Sequence, residues 1–395
     1  MKRILCFILT LTLIFTSCKN GKDKKSIILK RDKSQTKEAP KLNDVTGYFT
    51  LPPISYPGES AFISGELIYP LDDKPTPQCH SSSIIETPSG IVVTFFAGAH
   101  EKNPDVVISL SRLVDGIWTR PIEVANGIQN ETLRYPTWNP VLFKPENGPL
   151  MLFYKIGPDP RTWWGMLKTS NDDGKSWSKP SKLGSNDKIG HLLGPIKNKP
   201  IQLRDGTIIC PSSTEYKSAD DDKWMVHFEI TKDLGRTWEV IGPINKGDEF
   251  DAIQPSILIY PDNKMQVLCR TRQDVITESW SEDNGKTWSK MTSTSLPNPN
   301  SGIDAVTLKD GRQLLIYNHT TKMGEEPNNR NMLNLAISEN GYNWKPIMTL
   351  ETTPAKAGYS YPAIIQTSDG LVHITYTYLR QSIKHVVIDP DKLTI

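Results

Sequence analysis

Cysteine is scarce in this chain: five in 395 residues, with no CxxC or CxxH spacing. That spacing gives no zinc site and no disulfide framework. Charge of one sign is also missing. The formal balance is +2, so nothing points to nucleic acid as a partner. There is no apolar run long enough to span a bilayer as a helix: "ILCFILTLTLIFT", Ile4 to Thr16, has 13 residues. It follows Met1-Lys2-Arg3 and ends at Ser17-Cys18, the pattern of a secretory signal. No metal motif appears, and no cofactor is expected.

The run with its terminal cysteine resembles a bacterial lipoprotein signal, although Phe15 stands where Leu is commoner. The resemblance implies that residues 1–18 are removed up to a lipidated Cys18. The protein would then sit on a bacterial outer membrane, on the periplasmic or cell-surface side. Residues 19–44 are charged and reach Pro40, so they read as a disordered tether. Residues 45–395 remain for a folded domain, expected as a monomer. Its cysteines, Cys79, Cys210 and Cys269, read as small apolar strand residues.

Proline, glycine and tryptophan are plentiful, at 30, 26 and 10 residues, which suits a turn-rich β protein. The turns repeat. "SNDDGKSW" from Ser170, "TKDLGRTW" from Thr231 and "SEDNGKTW" from Ser281 share S/T-x-D-x-G-x-[ST]-W. "SENGYNW" from Ser338 and "SRLVDGIW" from Ser111 are looser relatives. Asp accepts backbone N–H groups within such a turn, Gly supplies a positive φ, and Trp pins the turn to a sheet. A second series interleaves with it: paired β runs around Gly90, Gly148, Gly206, Asn263, Gly311 and Gly370, spaced 58, 58, 57, 48 and 59. Six hairpins, each completed by an Asp-box turn, predict an all-β six-bladed propeller. "GELIYPL", Gly65 to Leu71, is expected to supply the closing outer strand. A seventh blade from Gly47–Leu71 is the alternative.

Asp boxes on a propeller resemble the sialidase superfamily, over roughly residues 75–390. That resemblance implies an Arg clamp for a substrate carboxylate, an Asp acid/base, and a Tyr nucleophile supported by a Glu. "AGYSYPAI" then places Tyr359 at the tyrosine position. "IYNHTTKMGEEPNNRNMLNLAIS" places Arg330 in the clamp, and "AHEKNPDVVIS" makes Asp105 the acid/base candidate. The pattern breaks elsewhere. His80 stands at the first clamp Arg, in "QCHSSSIIETPSG", and Ile276 fills the place of the middle one. Arg270 and Arg272 lie a few residues upstream.

His, Tyr and Arg together suit β-elimination on a uronic acid, and the constellation resembles ulvan lyase and oligosaccharide dehydratase propellers. A base takes the C5 proton, a cation neutralises the carboxylate, and an acid protonates the leaving C4 oxygen. On this reading His80 is the base and Tyr359 the acid. Arg330 with Arg270 or Arg272 holds the carboxylate, and Asp105 and His100 assist. Arg134, Trp138, Asn139, Arg161, Trp163, His319 and Tyr361 are expected to line the sugar site. Trp164 joins Trp163 and Arg161 as an expected sugar-stacking rim. The alternatives are a sialidase-like exo-glycosidase and a non-catalytic glycan-binding propeller.

Overall fold

The computed structural model describes residues 51–217, 222–322 and 329–394. Cys18, with its proposed lipid, and the tether at 19–44 lie outside the described residues. Among the described residues no helix is long and apolar enough to cross a membrane.

The strands form six antiparallel sheets, five of four strands and one of five. We number the blades along the chain by their innermost strands: Gln78–Thr87, Thr137–Phe143, Ile201–Gln202, Ala252–Ile259, Asp304–Thr307 and Tyr359–Gln366. Each blade runs outward through sequential hairpins, as the turn spacing predicted. The ring closes on the expected segment. Phe62–Leu67 pairs antiparallel with Ser382–Ile388 as the outer strand of blade 6, so no seventh blade forms among the described residues.

The Asp boxes sit between the third and fourth strands and behave as local physics dictates. Asp233 Oδ1 accepts Thr237 N–H at 2.9 Å and its Oδ2 accepts the Thr237 hydroxyl at 2.7 Å. Asp283 repeats both contacts with Thr287. These bonds hold both carboxyls down at about 2. Gly235 and Gly285 take φ of 86° and 79°, which a side chain would disfavour.

Apolar packing fills the wedges between blades. Val92, Phe96, Ile108 and Leu110 of blade 1 meet Leu142, Leu152 and Tyr154 of blade 2 in one buried cluster. Each such side chain contributes roughly 1.5–3 kcal/mol of burial. Cys79, Cys210 and Cys269 are buried free thiols within this framework.

The opposite ends of the innermost strands are irregular. Register shifts interrupt four of them, at His80/Ser83, Trp138/Val141, Ile253/Ser256 and Ser360/Ala363. At these bulges Ser81, Asn139, Gln254 and Tyr361 have φ of 58°, 39°, 55° and 52°. Lys197 of blade 3 joins them at 69°. With Gly302 of blade 5, these six residues each stand nine positions before a hairpin turn residue, so their spacing is that of the turns. A non-glycine residue with positive φ costs of order 1–3 kcal/mol, and such residues gather where function requires them.

Candidate active site

The bulges converge on Tyr361. A β-bulge re-aims one side chain out of its strand's alternation, and here it turns Tyr361 toward the propeller axis. The phenol oxygen accepts a hydrogen bond from Arg270 Nη1 at 2.9 Å and another from Gln254 Nε2 at 3.3 Å. The ring centroid lies 4.1 Å from that of His80, and 5.7, 5.8 and 6.0 Å from the charged ends of Arg270, Arg330 and Lys197.

Asn300 sets the two guanidiniums. Its Oδ1 accepts Arg270 Nε and Nη2 at 3.0 and 2.7 Å, and its backbone carbonyl accepts Arg330 Nη2 at 2.9 Å. Arg330 Nε is buried and has no partner among the described residues. Burial, then the neighbouring Arg270 charge, pulls Arg330 down to about 10.

Lys197 closes the axis from below. Its ammonium donates to Ile303 O and Pro362 O at 2.6 Å each and to Asn198 Oδ1 at 2.7 Å. Burial lowers it to about 7, against the opposing pull of Asp304. Gly302 is glycine for this reason: a Cβ there would meet Lys197 Cε at 2.8 Å and Tyr361 Cδ2 at 3.3 Å.

His80 lies beneath Tyr361 and is 2 % exposed. Its Nδ1 is 2.9 Å from Thr377 Oγ1, and Phe96 packs edge-on at 5.5 Å. Burial first, then Arg380, Arg330, Arg270 and Lys197, hold it well below the usual histidine range, so it is neutral. Arg380 belongs to a two-residue hairpin loop, Leu379-Arg380, with φ of 54° and 59° and a Gln381 N–H to Tyr378 O bond of 2.9 Å. Asn-Gly is the usual pair in such a loop. Here Arg380 reaches Glu101 at 2.8 Å instead.

The structure therefore brings together four of the expected residues, His80, Arg330, Arg270 and Tyr361, and puts Asn139 at the equivalent bulge of blade 2. It moves others away. Tyr359 is 1 % exposed and packs in the core between blades 5 and 6, with Tyr378 at 5.4 Å, so the axial tyrosine is Tyr361. Ile276 is core, and Arg270 supplies the guanidinium from an adjacent strand. Arg272 lies 4.1 Å above the Trp224 ring and is paired with Asp222 at 2.8 Å. Trp138, expected to line the sugar site, and Trp163, expected in a stacking rim, pack on each other at 5.8 Å as buried core, while Trp164 is half-buried against Tyr135.

Asp105 spends its carboxylate on the Ala99 N–H, at 3.0 Å, and Arg134 holds its carbonyl. His100 is an exposed loop residue beside Glu101. Arg161 pairs with Asp159 at the surface. His319 is bonded to Tyr317 Oη, and burial lowers it to about 4. Among the described residues no three His, Cys, Asp or Glu side chains gather as a metal site would require. Lys197, Gln254, Asn300, Thr377 and Arg380 are the site residues that motif reading passes over. The shared nine-residue offset from the turns is the signal that finds Lys197 and Gln254.

A model of the BNR repeat-like domain family matches residues 89–374. The chain belongs to that family. Its six-bladed propeller shares its fold with solved sialidases. It is similar to a protein of unknown function from Dyadobacter fermentans, at 17 % identity and TM-score 0.68, over 84 % of this chain and all of that one. It is also similar to a Hadza microbial sialidase, at 17 % identity and TM-score 0.69, over 84 % of this chain and 69 % of the other. The NanB sialidase of Streptococcus pneumoniae matches at 14 % identity and TM-score 0.65, over 86 % and 72 %. No curated protein matches the chain.

Proposed function

We propose that this BNR propeller is a carbon–oxygen lyase acting on a uronic acid unit of a glycan. The observation that carries the reading is the hydrogen bonding of Tyr361. Its oxygen accepts from Arg270 and Gln254, both donors, and touches no carboxylate among the described residues. Gln254 is an amide where the sialidase resemblance calls for a supporting Glu. A double-displacement glycosidase would lack that base. An elimination does not need it.

Arg270 and Arg330 would pair with the substrate carboxylate and make the C5 proton acidic. Tyr361 as phenolate removes that proton. The C5–H electrons form the C4=C5 bond, the C4–O bond breaks, and the leaving oxygen takes the proton back from Tyr361. His80 is neutral, as a base must be, but it lies under the Tyr361 ring. We therefore give it the role of a platform that positions the phenol, and assign the proton transfers to Tyr361.

The test is an assay on uronate-bearing oligosaccharides with two readouts: ultraviolet absorbance of a 4,5-unsaturated uronate, and new reducing ends. The reading expects both from an internal cleavage, and absorbance alone where C4 carries a free hydroxyl. Reducing ends without absorbance would show hydrolysis and overturn it. We propose further that Cys18 carries a lipid that holds the enzyme at an outer membrane. Radiolabelled fatty acid incorporation that persists in Cys18→Ser would refute this.

A further inference from the structure

Beside the axial site, between blades 2 and 3, lies a cavity of about 800 Å³ that none of the chemistry above uses. That volume falls in the ~300–1,000 Å³ range of small-ligand sites. Leu192, Met225 and Val240 give it an apolar floor, and Arg161, Glu215 and Tyr216 stand at its walls. Tyr216 is 50 % exposed.

The cavity adjoins the axial site through one pair of residues. Glu215 sits opposite Trp224 in the hairpin of blade 3. The Trp224 ring lies 5.4 Å from the Arg270 guanidinium, and its buried Nε1 has no partner among the described residues. Its lining carries both signs of charge, and one charged side chain stands without a partner among the described residues. Each cation on the wall is already engaged: Arg161 with Asp159 at 3.1 Å, Lys188 with Val240 O at 2.6 Å, and Lys217 near Asp222 at 3.9 Å. Glu215 has no hydrogen bond or ion pair among the described residues, and burial raises its carboxyl above the usual range against the longer-range pull of Arg270, Arg272 and Arg161.

We propose that this cavity is a second sugar subsite that takes a neutral, unsulfated unit next to the uronate bound over Tyr361. Glu215 accepts that sugar's hydroxyls, Tyr216 and Met225 face its C–H surface, and the unpaired carboxylate repels an anionic neighbour. This assignment rests on the lyase reading, which supplies the uronate in the axial site.

Calorimetry on the whole protein separates the two ideas. The probes are D-glucuronate, the unsulfated tetrasaccharides of hyaluronan, heparosan and chondroitin, and a sulfated chondroitin tetrasaccharide. At least one unsulfated tetrasaccharide should bind roughly ten-fold more tightly than glucuronate, and more tightly than the sulfated one. Met225→Trp fills the cavity and should bring that tetrasaccharide down to the affinity of glucuronate. Tyr216→Ala, at an exposed position that cannot threaten folding, should weaken only the tetrasaccharide. Glu215→Gln should narrow the gap to the sulfated probe. Equal affinity of glucuronate and every tetrasaccharide for the unaltered protein, or a tetrasaccharide preference that survives all three substitutions, overturns the subsite. If no probe binds, or binding is unchanged in Arg270→Ala, the axial reading itself falls.

Discussion

The two ends of each innermost strand carry the same repeat and obey opposite rules. At the turn end the blades match one another: Gly at five of six hairpins, and Asp boxes whose carboxylates cap the same N–H groups. At the axial end they share only a backbone position. Ser81, Asn139, Lys197, Gln254, Gly302 and Tyr361 occupy it, six different residues in six blades. Uniform residues at one end build a ring. Different residues at the other make an asymmetric site inside a nearly symmetric frame. Substitutions at the two ends should accordingly separate chemistry from stability.

The largest effect belongs to the axis. Tyr361→Phe keeps the ring over His80 and removes the proton-transfer oxygen, so kcat for elimination should fall about 10²–10⁴-fold with little change in melting temperature. A variant with full activity would remove Tyr361 from the chemistry. The turn end should give the inverse. Asp233→Ala loses its bonds to Thr237, Arg236 and Thr231. It should lower Tm by roughly 2–5 °C and leave kcat in place. A loss of activity at unchanged Tm would mean that the Asp boxes are not merely structural.

This division also explains what could be read in advance. The turns are local: Asp, Gly and Trp within eight residues determine their own geometry, so the blade count and the closing strand were legible. The axis is not local. Plain strand alternation puts Tyr359 and Tyr361 on the same face and gives no reason to prefer either. The bulge adds a residue and sends Tyr359 into the core while Tyr361 turns to the axis. The dipeptides Asn139-Pro140, Gln254-Pro255 and Tyr361-Pro362 mark the bulges, because Pro cannot donate to a ladder. Lys197 reads as an ordinary surface charge. Only the backbone carbonyls of blades 5 and 6, brought in by the ring, make it a buried one. Trp138 and Trp163 mislead in the reverse sense, since sugar-site and core aromatics have the same composition.

A third, smaller effect lies at the rim of the site. Leu379 and Arg380 hold left-handed conformations that Asn and Gly adopt readily. Leu379→Asn with Arg380→Gly should relieve that strain and raise stability by about 1 kcal/mol. Glucuronate binding should weaken at the same time, because the guanidinium beside His80 is gone. A double variant both more stable and equally tight would show that Arg380 serves the loop alone.

A further expected effect is a slope in stability against pH, and it too belongs to the axial end. Lys197 is lowered by burial to about 7, and Lys155, held by the carbonyls of Leu192, Leu193 and Gly194, to about 8. In the unfolded chain a lysine titrates near 10.4. Below pH 7 both states carry both protons, and the cost of burying the charges is fully present. Above it the folded state releases protons that the unfolded state still binds, so stability rises with pH. Above about pH 9 the buried Cys79 thiol, raised to about 12, works in the opposite direction. Denaturant midpoints measured from pH 7 to 9 should therefore climb, and Lys197→Met should flatten the climb. The turn end predicts the mirror image. Asp233 and Asp283, held down to about 2, contribute stability above pH 4 that is lost as pH falls toward 2. An acid limb that persists in Lys197→Met, with the alkaline rise reduced, would assign each slope to its own end of the strands. A rise between pH 7 and 9 that Lys197→Met leaves untouched would mean that this ammonium is not the group that titrates.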